Sequence, residues 1–342
     1  MITSLKFLDP YSKSDAKYFF GRDNEIEKLY RKVKANPITL FYGLSGTGKT
    51  SIILCGLSNK FDASEWTPYV IRRGTGKTSI LMALQCALMG IEIKSDSPPF
   101  TNSDALAILE DIYENNFSQI YLIFDQLEEL FIYGNDDERK IFIKFLGTLK
   151  SEYRYIKVIL VIREEYLASL DELEERIPEI YDSKVRLKPM ENDKARQVIT
   201  KIGLLSKLSI TEDIAERIIN RVTEKRGSYD TTGSIESGEK KIRLPYLQVY
   251  FHEIASELET KLTALPANEL HLLTSDELPE IGKINDALSD FLEKRVTDAF
   301  EKLKDKNENL ERETVWNVLN TLVSYKGTKQ SKSIDEIYNL VS

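Results

Sequence analysis

Residues 38–57 read ITLFYGLSGTGKTSIILCGL, and this stretch decides the fold expected for the first half of the chain. Within it, residues 43–50 fill every fixed position of the phosphate-loop pattern G-x-x-x-x-G-K-[ST]. A short apolar strand, residues 38–42, comes directly before the loop, and a helical pattern, residues 51–57, follows it. This order of strand, loop and helix predicts a binding site for a nucleoside triphosphate. The alternative, a glycine-rich turn beside a surface lysine, is disfavoured by the same context.

The chemistry of triphosphate binding explains the spacing of this loop. Glycines let the backbone curl so that successive N–H groups point at the β-phosphate, and the following helix adds the positive end of its dipole. In this pattern Lys49 reaches the β- and γ-phosphates, and the hydroxyl of Thr50 binds Mg²⁺. The expected nucleotide-binding residues of the loop are Gly43, Leu44, Ser45, Gly46, Thr47, Gly48, Lys49, Thr50 and Ser51.

A second, incomplete copy of the pattern follows downstream. Residues 74–79 (GTGKTS) repeat residues 46–51 letter for letter. The second copy has Ile71 where the first glycine is required, so a β-branched residue stands where the loop must turn. We therefore expect residues 69–73 to form a second strand, and the repeat to connect this strand to a helix without binding nucleotide directly.

Composition limits the remaining function classes. With 342 residues, 42% of them apolar, the chain can form two or three domains with hydrophobic cores. Two cysteines and two histidines are too few for a disulfide framework or a metal cluster, which leaves Mg²⁺ as the expected metal and fits a cytoplasmic protein. The sequence shows no secretory signal and no apolar stretch long enough to span a membrane. A net charge of -8 disfavours a nucleic-acid partner.

Apolar strands alternate with helical patterns through the first half of the chain. This alternation predicts an α/β fold with a parallel sheet, whose carboxyl edge carries the phosphate loop. After residue 190 the pattern becomes helical, so we expect an α/β domain over residues 1–190 and helical structure from residue 191 onward. Residues 227–241 have the composition of an exposed loop. The five expected strands are residues 38–42, 69–72, 120–124, 157–162 and 185–187.

Acidic residues follow the third expected strand. Residues 120–130 read IYLIFDQLEEL, which places Asp125 at the carboxyl end of a buried strand and Glu128 and Glu129 on the turn after it. A triphosphate site needs a carboxylate for Mg²⁺ and a group that positions the attacking water. We therefore assign Asp125 to the metal, together with Thr50, and the two glutamates to catalysis. The alternative is an acidic helix start, which is common because carboxylates suit helix N-termini.

The fourth expected strand ends in Arg163, at the same edge of the sheet. An arginine there can contact the γ-phosphate and stabilise its charge. It can equally pair with Glu164 or Glu165 at the surface. The residues alone leave both interpretations open.

Five segments of the chain together point to one protein family. They are residues 15–25 (DAKYFFGRDNE), 43–50 (the phosphate loop), 69–74 (YVIRRG), 124–130 (FDQLEEL) and 160–163 (LVIR). In combination they resemble the STAND class of P-loop ATPases, the signal-transduction branch related to NACHT proteins and AP-ATPases and, more distantly, to AAA+ proteins. The resemblance is closest to the prokaryotic novel-STAND group and covers nearly the whole chain.

This resemblance implies a domain order and a base pocket. The fold would be an ASCE- or AAA-like five-stranded parallel sheet over residues 1–190, a helical domain over residues 191–280, and an incomplete winged-helix domain over residues 281–342. In such proteins the F-G-R turn ahead of the loop lies against the adenine, and a proline of the helical domain lies near the base. The residues of this sequence at those positions are Phe20, Gly21, Arg22 and Pro245.

The resemblance also implies catalytic roles. It makes Glu128 or Glu129 the acid that orients water and Arg163 the sensor of the γ-phosphate. Gln126 departs from the pattern, because AAA+ enzymes place their catalytic glutamate there, and this displacement implies slow hydrolysis. The winged helix is a second departure. It starts near Lys283 and runs out at the last residue, so the chain resembles a core fragment, or a protein whose remaining parts are supplied elsewhere.

Three functions are compatible with these features. The leading hypothesis is a switch that binds ATP or ADP with Mg²⁺, hydrolyses ATP slowly and forms a homo-oligomer on activation. The resemblance implies prokaryotic defence or stress signalling, with a protein sensor or effector as partner. The first alternative is an AAA+ initiator-like ATPase that acts on DNA, which the near balance of basic and acidic side chains over residues 283–342 disfavours. The second is a scaffold that binds nucleotide without hydrolysing it, which the two glutamates disfavour.

Overall fold

The computed structural model describes most of the chain and divides it into two compact units. One unit is residues 10–188, and the other is residues 189–342 together with residues 1–9. Residues 74–78 of the incomplete loop copy and residues 227–241 of the expected exposed loop lie outside the described residues. The described residues are 6, 9–73, 79–91, 100–223, 242, 244–266, 268–278, 281–304, 311–323 and 334–341.

A five-stranded parallel sheet forms the centre of the first unit. Its strands are β1 (Ile38–Gly43), β2 (Thr67–Ile71), β3 (Ile120–Phe124), β4 (Ile156–Arg163) and β5 (Lys184–Arg186). Their order across the sheet is β2-β3-β4-β1-β5, and every neighbouring pair is parallel. The expected fold class and its five strands are confirmed, with ends that shift by one or two residues. Because β4 lies between β1 and β3, the phosphate loop and the acidic turn follow strands that are not adjacent.

Helices cover both faces of this sheet. They are α1 (Asp23–Ala35), α2 (Lys49–Ser51, continued by a π-helical turn, Ile52–Leu57), α3 (Ile80–Met89), α4 (Asn102–Asn116), α5 (Glu128–Tyr133), α6 (Asp136–Glu152) and α7 (Asp171–Glu174), with 3₁₀ turns at Lys13–Tyr18, Glu164–Leu170 and Pro178–Tyr181. Side chains of α3, α4 and α6 pack in the layer on one face of the sheet, and side chains of α1 and α2 pack in the other layer.

The apolar runs of the strands explain why the sheet is buried on both faces. All five residues of β3 are buried. Leu122 and Phe124 point into one layer, and Tyr121 and Ile123 point into the other, because successive side chains of a strand alternate in direction. A strand that is covered on both faces therefore reads as a continuous apolar run, which is the signal that the sequence carries.

Aromatic side chains fill part of the layer that contains α1. The ring of Trp66 stacks on Phe61, with centroids 4.5 Å apart, and lies 4.3 Å from the ring of Tyr121. Trp66 is only 7% exposed. These ring contacts fix the segment between α2 and β2 against the sheet.

The second unit is mainly helical. Its helices are α8 (Asn192–Leu205), α9 (Glu212–Thr223), α10 (Leu244–Glu257), α11 (Glu259–Ala264), α12 (Ile281–Lys304), α13 (Arg312–Thr321) and α14 (Ile334–Val341), and two short strands, β6 (Leu208–Ser209) and β7 (His271–Leu272), pair in parallel. The expected winged-helix region contains α12, α13 and α14, and its winged-helix fold stays a prediction. Within the described residues, no helix combines the length and the apolar character that crossing a membrane requires.

The carboxylate of Glu277 links α11, β7 and the turn that follows β7 through hydrogen bonds. Glu277 accepts hydrogen bonds from Lys261 Nζ over 2.8 Å, from His271 Nε2 over 2.8 Å and from the backbone N–H of Thr274 over 3.1 Å. Burial raises the pKa of Glu277, but these hydrogen bonds lower it by more, and the net pKa is about 2. The folded structure therefore stabilises the ionised form of Glu277 relative to the protonated form.

We expect Glu277→Gln to lower the free energy of unfolding by about 1–2 kcal/mol at neutral pH, because the amide cannot replace the charged acceptor. The pKa of Glu277 is lowered on folding, so its contribution is complete above the unfolded pKa of about 4.3 and is lost as the pH falls towards the folded pKa of about 2. Urea unfolding followed by circular dichroism over this pH range tests this. The exposed Glu269→Gln is the control and should match wild type throughout; a pH-independent loss in Glu277→Gln would contradict the argument.

Candidate nucleotide-binding site

The loop between β1 and α2 has the backbone that its glycines predict. Gly46 and Gly48 have φ angles of 74° and 92°, in the left-handed region that residues with a side chain rarely adopt. Thr47 is buried, and its hydroxyl donates a hydrogen bond to the carbonyl of Leu44 over 2.8 Å. Ser45 is exposed at the tip of the loop. The loop thus closes on itself through Thr47 and leaves its tip open to solvent.

The ammonium group of Lys49 lies inside this loop. Nζ donates to the carbonyl oxygens of Gly43 and Leu44, over 2.7 and 2.9 Å. Burial lowers the pKa of Lys49, and the nearby carboxylate of Glu128 partly offsets this effect. A phosphate group would give the half-buried ammonium the negative partner that two neutral carbonyls do not supply.

Gly43 is required by a close approach between two segments of backbone. Leu187, directly after β5, donates its N–H to the carbonyl of Tyr42 over 2.7 Å. A Cβ atom on Gly43 would lie 2.4 Å from the carbonyl oxygen of Leu187, well inside contact distance. The first glycine of the phosphate loop therefore lets the chain after β5 pass directly against the start of the loop.

Arg22 connects the F-G-R turn to the phosphate loop. Its side chain is 2% exposed, and its guanidinium donates to the carbonyl of Thr47 over 3.1 Å, to the carbonyl of Lys188 over 3.1 Å and to Glu25 over 3.0 Å. In the same turn Phe20 is half-buried, and Gly21 has a φ of 79°. The turn expected to contact adenine is thus held to the loop by the arginine at its end.

Ser51, the last of the expected loop residues, has a defined partner. Its hydroxyl accepts a hydrogen bond from the backbone N–H of Tyr11 over 3.2 Å. The ring of Tyr11 in turn contacts Phe19, with centroids 5.6 Å apart. The segment that precedes the F-G-R turn therefore reaches the start of the loop helix.

Asp125 lies within reach of the loop although its strand is not adjacent to β1. Thr50 Oγ1 donates to Asp125 Oδ2 over 3.1 Å, and Asp125 is 4% exposed. The same oxygen accepts hydrogen bonds from Arg72, over 2.8 Å from Nη2 and 3.1 Å from Nε. The two residues assigned to the metal from sequence are thus brought together, with an arginine beside them.

These residues fit a Mg²⁺ ion by their chemistry. Mg²⁺ prefers hard oxygen ligands and is usually held by one or two protein groups together with substrate phosphates. Thr50 supplies a hydroxyl and Asp125 a buried carboxylate, which already attracts a cation in the form of Arg72. Thr50 and Asp125 are therefore the residues that would hold the ion.

Glu128 and Arg163 form a second ion pair at this edge. Arg163 Nε lies 2.9 Å from Glu128 Oε1, and the backbone N–H of Arg163 donates to Oε2 over 3.2 Å. The pairing with Glu164 or Glu165 considered from sequence is not the one formed here. Arg163 is also in register with Gly43 across β4 and β1, so it lies beside the start of the loop.

The turn between Asp125 and α5 has an unusual backbone. Gln126 has a φ of 61°, a conformation that costs a residue with a side chain about 1 kcal/mol. The turn carries the chain from β3 into α5, where Glu128 and Glu129 are 4% and 8% exposed. Both candidate acids are therefore buried near the loop, within the first turn of a helix.

Arg72 is the residue of this site that sequence reasoning missed. The sequence predicts Arg72 and Arg73 at the end of the second strand and within a segment of the family resemblance, but it assigns neither residue a role in the site. A polar residue directly after an apolar strand was the signal that identified Asp125 and Arg163, and the same signal applies to Arg72. Pro245, in contrast, lies in α10 of the second unit, and its position near the base stays a prediction.

One stretch of sequence carries the letters of a guanine-reading motif. Residues 59–62 read NKFD, which matches the pattern N-K-x-D. The amide of Asn59 donates to the carbonyls of Lys13 and Cys55, over 3.0 and 2.8 Å, and Phe61 is buried in the core. Their side chains are therefore used by the fold, and the match does not favour GTP.

Comparison with known families identifies the chain. The family described as Novel STAND NTPase 1 matches residues 6–339, which is nearly the whole sequence. The chain belongs to this family. As a novel STAND NTPase it is an enzyme of the P-loop class, as the sequence indicated. A search of curated proteins gave no significant match.

Solved structures support the fold of this novel STAND NTPase. A Walker-type ATPase of Pyrococcus abyssi is 16% identical, with a TM-score of 0.51, over 98% of this chain and 91% of the other. The ORC1 protein of Aeropyrum pernix, solved in complex with DNA, is 10% identical, with a TM-score of 0.53, over 94% and 82% of the two chains. At these identities the likeness concerns the fold.

We expect Gly43→Ala to destabilise the first unit by about 2 kcal/mol, because the new methyl group would collide with the carbonyl of Leu187. Gly147→Ala is the matched control. Gly147 lies within α6, where an added Cβ meets nothing within 4 Å, so alanine should stabilise the helix by about 0.5–1 kcal/mol. Thermal unfolding of both variants tests this, and equal melting temperatures would contradict the close approach.

Proposed function

We propose that this novel STAND NTPase is an ATP-controlled switch that binds ATP with Mg²⁺, hydrolyses it slowly and changes conformation with nucleotide state. The observation that carries the proposal is the hydrogen bond between Thr50 and Asp125 beside the half-buried ammonium of Lys49. This arrangement combines a cation for the phosphates with two oxygen groups for a metal. Bound Mg²⁺ would neutralise charge on the phosphate oxygens during transfer.

Hydrolysis needs a group that orients water, and the chain offers two acids for this role. Glu128 is held by Arg163, whereas Glu129 follows it on the same helical turn. Gln126 stands where AAA+ enzymes place their catalytic glutamate, so the acid is displaced along the chain. An amide cannot accept a proton from water as a carboxylate does, and this supports slow turnover.

The pair of Arg163 and Glu128 supports a sensor role. The side chain of Arg163 is 39% exposed and lies beside Gly43, whereas the side chain of its partner Glu128 is 5% exposed. A γ-phosphate is a stronger anion than a carboxylate and would compete for the guanidinium. Loss of the γ-phosphate would return Arg163 to Glu128, which gives the switch two states that differ in one ion pair.

The wider biological role rests on family membership. The STAND class implies that the protein forms a homo-oligomer on activation and has a protein sensor or effector as partner. It also implies a cytoplasmic role in prokaryotic defence or stress signalling. Adenine as the base follows from the same class, with Phe20, Gly21, Arg22 and Pro245 as the proposed pocket.

A second candidate function is action on DNA. It is favoured by the likeness of fold to ORC1 of Aeropyrum pernix, which was solved with DNA. Against it stand the net charge of -8 and the balanced charges of residues 283–342. A DNA mobility shift that weakens with salt would favour this candidate, and its absence would favour the switch.

We expect Lys49→Ala to weaken binding of a fluorescent ATP analogue by about 100-fold or more, because the loop loses its charge-assisted contact with the phosphates. Lys77→Ala, in the incomplete copy of the pattern, is the matched control and should bind like wild type. Fluorescence titration measures both. Tight binding by the Lys49 variant, or its loss in the Lys77 variant, would overturn the loop assignment.

Replacement of the two acids one at a time identifies the hydrolytic group. We expect either Glu128→Gln or Glu129→Gln to lower kcat by about 100-fold while nucleotide affinity stays within a few-fold of wild type. The other variant should keep most of its turnover. Phosphate release at saturating ATP measures the effect. If neither variant turns over more slowly than wild type, the hydrolytic roles are wrong and a nucleotide-binding scaffold is favoured.

A further inference from the structure

Arg72 is placed beside Asp125 by the register of two strands. Ile71 at the end of β2 pairs with Phe124 at the end of β3, and the N–H of Asp125 donates to the carbonyl of Ile71 over 2.9 Å. The next residue of each strand is therefore Arg72 on one side and Asp125 on the other. Their contact follows from the sheet itself.

Three donors meet on a single oxygen of Asp125. Oδ2 accepts from Arg72 Nη2 over 2.8 Å, from Arg72 Nε over 3.1 Å and from Thr50 Oγ1 over 3.1 Å. Asp125 is 4% exposed, and a buried carboxylate requires a compensating charge. Arg72 supplies that charge in the structure described here.

Oδ2 is also the oxygen of Asp125 that lies nearer to the hydroxyl of Thr50, at 3.1 Å against 3.5 Å for Oδ1, and it is therefore the nearer ligand for a metal shared with Thr50. A divalent ion and a guanidinium on one carboxylate oxygen repel each other, so the two cations exclude one another. Two N–H groups of the Arg72 guanidinium already occupy the oxygen to which Thr50 donates. A Mg²⁺ ion on this oxygen would therefore compete with Arg72 for it.

The neighbouring arginine shows by contrast that Arg72 can move. Arg73 is 5% exposed and forms two parallel hydrogen bonds with Glu138, which also accepts the N–H of Ile80. Arg72 has a side chain that is 46% exposed. Once another cation compensates Asp125, the charged group of Arg72 can turn into water, whereas that of Arg73 is buried with Glu138.

We propose that Arg72 is a built-in competitor of Mg²⁺: its guanidinium neutralises Asp125 in the metal-free protein and must be displaced when the metal binds with nucleotide. This inference rests on the proposed function, since it concerns the same site. Arg72 is then a positioning residue that sets the Mg²⁺ concentration at which the site is half-saturated.

The test uses the full chain with a slowly hydrolysed, fluorescent ATP analogue, titrated with Mg²⁺. We expect Arg72→Gln to lower the half-saturating Mg²⁺ concentration by about tenfold, and to leave binding in EDTA unchanged. Arg186→Gln is the control, because Arg186 is 44% exposed, ends β5 at the same edge and pairs with Glu164. It should match wild type in both conditions.

A second variant and a second probe keep the test decisive. Arg72→Lys retains the charge without the two-pronged contact and should give an intermediate Mg²⁺ requirement, even if Arg72→Gln folds poorly. Without nucleotide, Mn²⁺ binding followed by electron paramagnetic resonance should be tighter in Arg72→Gln than in wild type, and this readout does not depend on the proposed function.

Two results would overturn the inference. An unchanged requirement for Mg²⁺ and unchanged Mn²⁺ binding would show that Arg72 does not compete with the metal. Weaker nucleotide binding in EDTA would show that Arg72 contacts the phosphates instead. Failure of the wild-type chain to bind the analogue in any condition would overturn the proposed function, while the Mn²⁺ comparison would still decide the role of Arg72.

Discussion

The site depends on two ion pairs at the carboxyl edge of the sheet. In each pair, an arginine from a neighbouring strand holds a buried carboxylate. Asp125 follows β3 and pairs with Arg72 after β2, while Glu128 follows three residues later and pairs with Arg163 at the end of β4. Each of the two acids thus has its own arginine as a charge partner. A metal and a triphosphate would act on this existing balance of charge rather than create it.

Much of the fold could be predicted from the sequence, because a strand buried on both faces has a continuous apolar run. The order of the strands could not, since such runs carry no information about which strands are neighbours; only the structure shows β4 between β1 and β3. The same limit explains the missed contact of Arg72 and the unexpected partner of Arg163. Both depend on register between segments that are distant in sequence, whereas the phosphate loop is a local pattern whose position between β1 and α2 is predictable.

The support of the phosphate loop is equally invisible in the sequence. Leu187 passes against Gly43, and Lys188 shares the guanidinium of Arg22 with the carbonyl of Thr47. The three-residue strand β5 thus positions residues 187–188, which contact Gly43 of the phosphate loop and Arg22. Its own sequence contains no motif, and its importance lies only in what it touches. The roles proposed for Phe20, Gly21 and Arg22 at the base concern the same region.

The aromatic packing of the first unit has a spectroscopic consequence. The chain contains two tryptophans, and they fall in different units. Trp66 is buried in a stack with Phe61, whereas Trp316 is half-buried in α13. Their indoles therefore emit from environments of different polarity, the blue part of the spectrum coming from the α/β unit and the red part from the helical one. Intrinsic fluorescence can follow each half of the molecule without any added label.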